Sequence, residues 1–255
     1  MPQLTAQGVT YDIDAILFDK DGTLLNFGDL WIGWFDQLVS TVNHQLPSHQ
    51  QFSHHALYPK VGIYPEQRLW DPTGPLTIGS LDDIATILAL SLFEARVAWN
   101  DATQITQDAM TTLAQQLDWL SCVTPVEGLI DFVTRASHAG VRMGVVTSDD
   151  KQNADLHLSI LSLTDHFPVV LGHDQVARGK PYPDMALAAC QQLNVLPQRT
   201  LIIGDSNGDM AMGKDAGLLA SIGICAAPHL DGSYLTHADL VVRDYNELTI
   251  APSHH

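Results

Sequence analysis

From residue 126 onward the sequence alternates between short apolar runs and longer stretches with apolar residues at helical spacing. Residues 141–147 (VRMGVVT), 168–172 (PVVLG), 199–203 (RTLII), about 219–223 and 238–242 (ADLVV) read as strands. Residues 127–139, about 150–162, 184–194 and the stretch from GDSNGD to about 216 read as helices. Strand and helix in strict alternation specify a parallel sheet with helices on both faces. One more apolar run, residues 13–19 (IDAILFD), reads as a buried strand ending in an acid. Helical spacing also fills the gap between them, over residues 30–46, 81–97 and 102–119. The expected organisation is an α/β core formed by residues 1–25 and 125–255, interrupted after its first strand by a helical insertion over residues 26–124. There is no internal repeat and no low-complexity segment.

Composition limits the partners. Twenty-nine Asp and Glu against twelve Lys and Arg give a net charge of -17 over 255 residues. No Lys/Arg cluster stands out, so the chain lacks the electrostatic footprint for a nucleic-acid backbone, and its acidity repels anionic membranes. An anionic substrate therefore needs local positive charge from a metal or a placed lysine. Cys122, Cys190 and Cys225 are far apart and odd in number, which reads as reduced thiols. The N-terminus carries no basic-then-apolar signal pattern. The strongly apolar stretch 84–93 is short of the roughly 20 residues of a membrane span. These features lead to the expectation of a cytoplasmic protein with no membrane contact. Nothing in them fixes the oligomeric state.

The chemistry-bearing residues stand at the ends of the apolar runs. Asp19 and Asp21 straddle Lys20 and precede Gly22 and Thr23; Thr147 and Ser148 end a second run. A third run leads into GDSNGD, with Asp205 and Asp209, and RGKPYPD carries Lys180 between them. Ligands bind parallel α/β sheets at the carboxyl ends of the strands, so these segments converge if their strands are neighbours. Asp-Gly alone is also ordinary turn chemistry.

Taken in order, the four segments resemble the signature of the haloacid dehalogenase superfamily, in its phosphatase branch. The likeness covers roughly residues 1–25 and 125–250. The insertion resembles the helical cap of phosphoglycolate-phosphatase-like and β-phosphoglucomutase-like members. The resemblance implies a Rossmannoid parallel-sheet core with an inserted α-helical cap, and a Mg2+-dependent phosphatase of a small phosphorylated metabolite. It implies Asp19 as the nucleophile that forms a phosphoaspartyl intermediate, and Asp21 as acid and then base. The implied Mg2+ ligands are Asp19, Asp205 and the backbone carbonyl of Asp21. Lys180 would neutralise Asp19 and the transferring phosphoryl group, and Thr147 would hydrogen-bond its oxygens. Ser148 and Gly22 are further substrate-binding candidates, Gly22 also suiting a sharp turn. Asp209 would orient Lys180 or a metal-bound water.

A phosphomutase with the same nucleophile is an alternative, and so is a non-catalytic phosphometabolite-binding module. A dehalogenase is disfavoured, because that branch does without Mg2+ and the second acid. Strand alternation points the Lys20 side chain away from its two acidic neighbours, in a structural or steering role. The GxxxxGK-like segment from Gly208 to Lys214 ends in Asp215 rather than Ser or Thr and falls in a helix, so it is no phosphate loop. In the insertion, His44, His49, His54 and His55 read as polar surface, and Trp31 and Trp34 as core packing. Ser80 is a helix cap, and the Pro/Gly/Thr-rich stretch 73–80 is a loop suited to substrate selection. Hinges are expected near residues 25–29, with Gly28, and 121–126. His254 and His255 are set aside.

Overall fold

The computed structural model describes residues 1–64, 66 and 69–252; the terminal His254 and His255 lie outside them. It divides into two compact units, Met1–Asn26 with Val123–His255, and Phe27–Cys122.

The first unit opens with a hairpin of β1 (Gln3–Ala6) and β2 (Val9–Asp12). Gln7 and Gly8 turn it with positive φ of 48° and 81°, the twist that two-residue hairpins favour. The sequence reading placed no strand here. β2 is mostly exposed and shows no apolar alternation to read. β3 (Ala15–Phe18) follows and is buried at every residue.

The inserted unit begins with one wide helical turn over Gly28–Ile32 that runs into α1 (Gly33–His44). Trp34, Phe35, Leu38, Val39 and Val42 line the buried face of α1. Trp31 and Trp34 are also buried and meet edge to face at 5.3 Å. Next come α2 (His54–Leu57), the antiparallel pair β4 (Ile63–Tyr64) and β5 (Leu69–Trp70), and α3 (Pro75–Ile78). α4 (Leu81–Glu94), α5 (Trp99–Gln116) and α6 (Trp119–Cys122) complete it, with α5 packed on both α1 and α4. The stretch 73–80 is more ordered than the expected loop. Pro75 starts a single helical turn, Asp71 Oδ1 accepts from the Thr73 N–H (2.8 Å), and Thr77 Oγ1 donates to the Asp71 carbonyl (2.7 Å). Ser80 caps α4 as expected.

The first unit resumes with α7 (Leu129–His138), β6 (Arg142–Val146), α8 (Lys151–Ile160), β7 (Val169–Leu171), α9 (Asp184–Leu193) and β8 (Thr200–Gly204). It ends with α10 (Asn207–Asp215), β9 (Ala220–Ile224), β10 (Leu240–Val242) and β11 (Leu248–Ala251). Six strands form a parallel sheet in the order β10-β9-β8-β3-β6-β7, and β11-β1-β2 make a small antiparallel sheet. β3, first in sequence within the large sheet, is central in space, so the chain winds away from it in both directions. That is a topological switch point, where open α/β sheets place ligands.

Residues on successive positions of β3 anchor opposite layers. Ala15 and Leu17 pack with Ile202, Met185, Ala186 and Ala189 on the α9 side. Phe18 meets Phe132 of α7, Phe167 and Tyr245 on the other side, with ring centroids 5.5–6.3 Å apart. Of these, each fully buried Leu, Ile, Met or Phe side chain contributes about 1.5–3 kcal/mol relative to exposure. Among the described residues, no helix is long and apolar enough to cross a membrane.

Candidate active site

Register explains how the expected residues meet. Phe18 pairs with Val145 on one side and Ile203 on the other. Asp19, Thr147 and Asp205 therefore emerge at the same end of three adjacent strands. The Asp19 N–H extends the ladder by one more bond, to the Ile203 carbonyl at 2.9 Å. Beyond it the chain folds back. The N–H groups of Leu24 and Leu25 donate to the Lys20 carbonyl (2.8 and 3.0 Å), and Gly22 N–H donates to Leu25 (2.8 Å). Gly22 sits at φ +77°, and a Cβ there would collide with the Asp205 carboxylate. A glycine is required on both counts.

Lys180, from the loop before α9, is buried and pairs with Asp19 and with Asp209 Oδ1 (2.6 Å). Asp209 Oδ2 in turn accepts from Ser206 Oγ (2.6 Å) and N–H (3.1 Å) at the start of α10. With both its oxygens so engaged, Asp209 holds Lys180 against Asp19. Thr147 is buried, and its Oγ1 accepts from the Asp149 N–H (3.1 Å), which leaves its own proton free to donate. Ser148 lies beside it, half-buried. The rejected GxxxxGK-like segment falls within α10.

Asp19, Asp205 and Asp209 offer carboxylate oxygens that all lie within 4.8 Å of one another. Burial, with Asp209 and Asp21 nearby, pushes Asp19 up to about 7 despite the pull of Lys180. Burial, followed by the Asp19 and Asp209 charges, drives Asp205 well above the usual carboxylate range. Burial acts downward on Lys180, but the Asp19 and Asp209 charges outweigh it and hold the ammonium protonated. Three carboxylates against one lysine leave an excess of negative charge, which a divalent cation would relieve. Hard carboxylate oxygens are the donors that Mg2+ prefers. The Asp19 and Asp205 carboxylates, beside an Asp209 already engaged by Lys180 and Ser206, therefore fit the metal that the resemblance implies.

Lys20 corrects the sequence reading. Its side chain is buried and does not point away from Asp21: Nζ reaches Asp21 Oδ1 at 2.9 Å and Oδ2 at 2.8 Å. It also meets Asp149 Oδ2 (3.0 Å) and His157 Nδ1 (3.0 Å). Strand alternation stopped applying at Phe18, where β3 ends and the turn swings Asp21 round to Lys20. Asp149 and His157 were missed; their only sequence signal is an extra acid after VVTS and one His eight residues further on. Burial, then the Lys20 charge, holds His157 down at about 3, so the imidazole is neutral. Lysine has no acceptor, so His157 Nδ1 accepts and Nε2 carries the hydrogen. Burial raises Asp149, but Lys20, Asn153 and the Asp150 N–H outweigh it and keep the carboxylate ionised.

Residues 13–217 match the family model described as haloacid dehalogenase-like hydrolase. Pyrophosphatase PpaX of Anoxybacillus flavithermus is 27% identical over 206 residues, covering 81% of each chain. A predicted phosphoglycolate phosphatase from Haemophilus somnus 129pt superposes with a TM-score of 0.67 at 16% identity, over 92% of this chain and 95% of that one. CbbY from Rhodobacter sphaeroides, in complex with phosphate, gives 0.58 at 23% identity over 91% and 95%. At these identities the two structures speak to the fold. The family model, by contrast, spans most of the sequence and includes all four motif segments in full, and on that basis this chain belongs to the haloacid dehalogenase-like hydrolases.

Proposed function

We propose that this hydrolase is a Mg2+-dependent phosphatase of a small phosphorylated metabolite that works through a phosphoaspartyl intermediate. The observation that carries the proposal is the buried Asp19 carboxylate, paired with Lys180 at the mouth of the central strand and ringed by two more acids. Asp19, Asp205 and the Asp21 backbone carbonyl would hold Mg2+. The ion would supply the positive charge that lets a phosphate dianion enter an acidic site.

In the first half-reaction an Asp19 oxygen bonds to phosphorus as the ester P–O bond breaks, and Asp21 gives its proton to the departing alkoxide. In the second, water attacks phosphorus and passes a proton to Asp21, the P–O bond to Asp19 breaks, and inorganic phosphate leaves. Both carboxyl groups return to their starting states. Lys180 offsets charge on Asp19 and the phosphoryl oxygens, Thr147 donates its hydroxyl proton to them, and Asp209 keeps Lys180 in place. Ser148 and the backbone at Gly22 border the same space.

The relative named pyrophosphatase supports a second reading, in which inorganic pyrophosphate is the substrate. The same residues serve, but a phosphate leaving group demands less of Asp21 than an alkoxide does. The test is phosphate release from a panel of phosphoesters and pyrophosphate, with EDTA and with Mg2+ restored. Release that EDTA stops and Mg2+ recovers is expected from at least one compound. No metal-dependent release from any of them would defeat the proposal. An isomerised sugar phosphate in place of free phosphate would mean a mutase, and tight binding without turnover a binding module.

A further inference from the structure

We propose that Lys20, Asp149 and His157 form a buried positioning network that fixes the carboxyl group of Asp21 for proton transfer. The inference rests on the reading of Asp21 as acid and base.

Asp21 lies beyond the end of β3, in the fold-back turn, and its carboxyl group is about 15% exposed. A proton donor must lie within roughly 2.6–3.2 Å of the leaving oxygen, so a freely rotating carboxyl would serve poorly. Lys20 restrains it by contacting both Asp21 oxygens.

Lys20 is itself held from α8. The ammonium shares its three protons among acceptors on three side chains, those of Asp21, Asp149 and His157. Asp149 is fixed by the Asp150 N–H (2.8 Å) and by Asn153 Nδ2 (3.0 Å), and His157 is wholly buried within α8. Orientation thus passes from a packed helix to Asp149 and His157, then to Lys20, and then to Asp21. Asp149 also balances the Lys20 charge, so the ammonium acts on Asp21 chiefly as a hydrogen-bond anchor. A buried ion cluster is no cheaper for the fold than apolar side chains of the same volume. The orientation of Asp21 is what it adds.

The test compares kcat/KM for phenyl phosphate and p-nitrophenyl phosphate, two esters of similar shape. Phenolate is the more basic leaving group and needs the proton from Asp21; nitrophenolate leaves without it. kcat/KM reports the steps up to departure of the leaving group, so the later use of Asp21 as base does not enter. General acids contribute about 100- to 10,000-fold, so Lys20→Met should lose at least about tenfold more on phenyl phosphate than on p-nitrophenyl phosphate. A merely structural lysine would lower both by the same factor, and that result overturns the network. If Lys20→Met does not fold, His157 decides. His157→Leu removes an acceptor and should shift the ratio in the same direction, whereas His157→Gln keeps one and should restore it. A ratio unmoved in His157→Leu also overturns the network. A wild-type protein that releases phosphate from no ester overturns the phosphatase reading first and the network with it, a different result from equal losses in an active enzyme.

Discussion

Two helices in this chain, one in each unit, begin with the same reciprocal cap. At α4, Ser80 N–H and Oγ both donate to Asp83 Oδ2 (2.8 Å each), and Asp83 N–H returns a bond to Ser80 Oγ (3.2 Å). At α10, Ser206 and Asp209 repeat the pattern at 3.1, 2.6 and 3.3 Å. The local chemistry is identical, a capping box in which each residue satisfies the other's backbone donor. The surroundings differ. Asp83 is exposed and its carboxylate serves the cap, whereas Asp209 is wholly buried and gives its second oxygen to Lys180. The same four-residue word is structural in the inserted unit and part of the candidate active site in the core. What separates the two is the end of the parallel sheet, which sets the second box beside Asp19.

The comparison can be broken most severely at Asp19. Asp19→Asn keeps the shape but removes the proposed nucleophile, and turnover should fall by at least about 10,000-fold. Retained phosphate release with an intact fold would strip the whole strand-end cluster, Asp209 included, of its assigned chemistry. A sharper version pairs the two acids themselves. Asp209→Asn weakens the hold on Lys180, and a group that orients an active residue is worth about 10- to 100-fold, so kcat should drop by that factor. Asp83→Asn should leave phosphate release unaltered. Equal effects of the two substitutions would mean that Asp209 is a cap and nothing more.

The core was far more legible than the inserted unit, and the caps show why. A residue meant for chemistry is restricted in type and in its place relative to a strand end, so the convergence of Asp19, Asp205 and Lys180 could be read from the sequence. In the inserted unit, Phe35, Leu38 and Val42 satisfy a demand for apolar volume, which fixes a helix face and no more. Even in the core, legibility stopped where local rules did. The alternation that gave β3 its buried faces misdirected Lys20 one turn later, because the chain leaves the strand at Phe18. The ion pair from Lys20 to Asp149 spans well over a hundred residues of sequence, and no local pattern announces it. The β1–β2 hairpin escaped for a different reason: Gln-Gly is a weaker turn signal than Asn-Gly, and β2 buries too little to alternate.

The smallest effect tests the comparison most finely. Ser80→Ala and Ser206→Ala remove the same hydroxyl from the same motif, and each should cost about 1 kcal/mol of local helix stability. Hydrogen exchange of the first-turn amides would register this as roughly fivefold faster opening at α4 and α10 alike. Activity should then part them. In Ser206→Ala, Asp209 keeps the bond from the Ser206 N–H but loses the one from Oγ, so its grip on Lys180 loosens without vanishing. A net hydrogen bond of about 0.5–1.5 kcal/mol corresponds to a two- to tenfold loss of turnover, smaller than that of Asp209→Asn. Ser80→Ala should leave turnover unchanged, because the Asp83 carboxylate it loses contact with is bonded to the cap itself. A loss of activity from Ser80→Ala as large as that from Ser206→Ala would show that helix stability in either unit limits turnover, and the distinction between a structural cap and a working one would collapse.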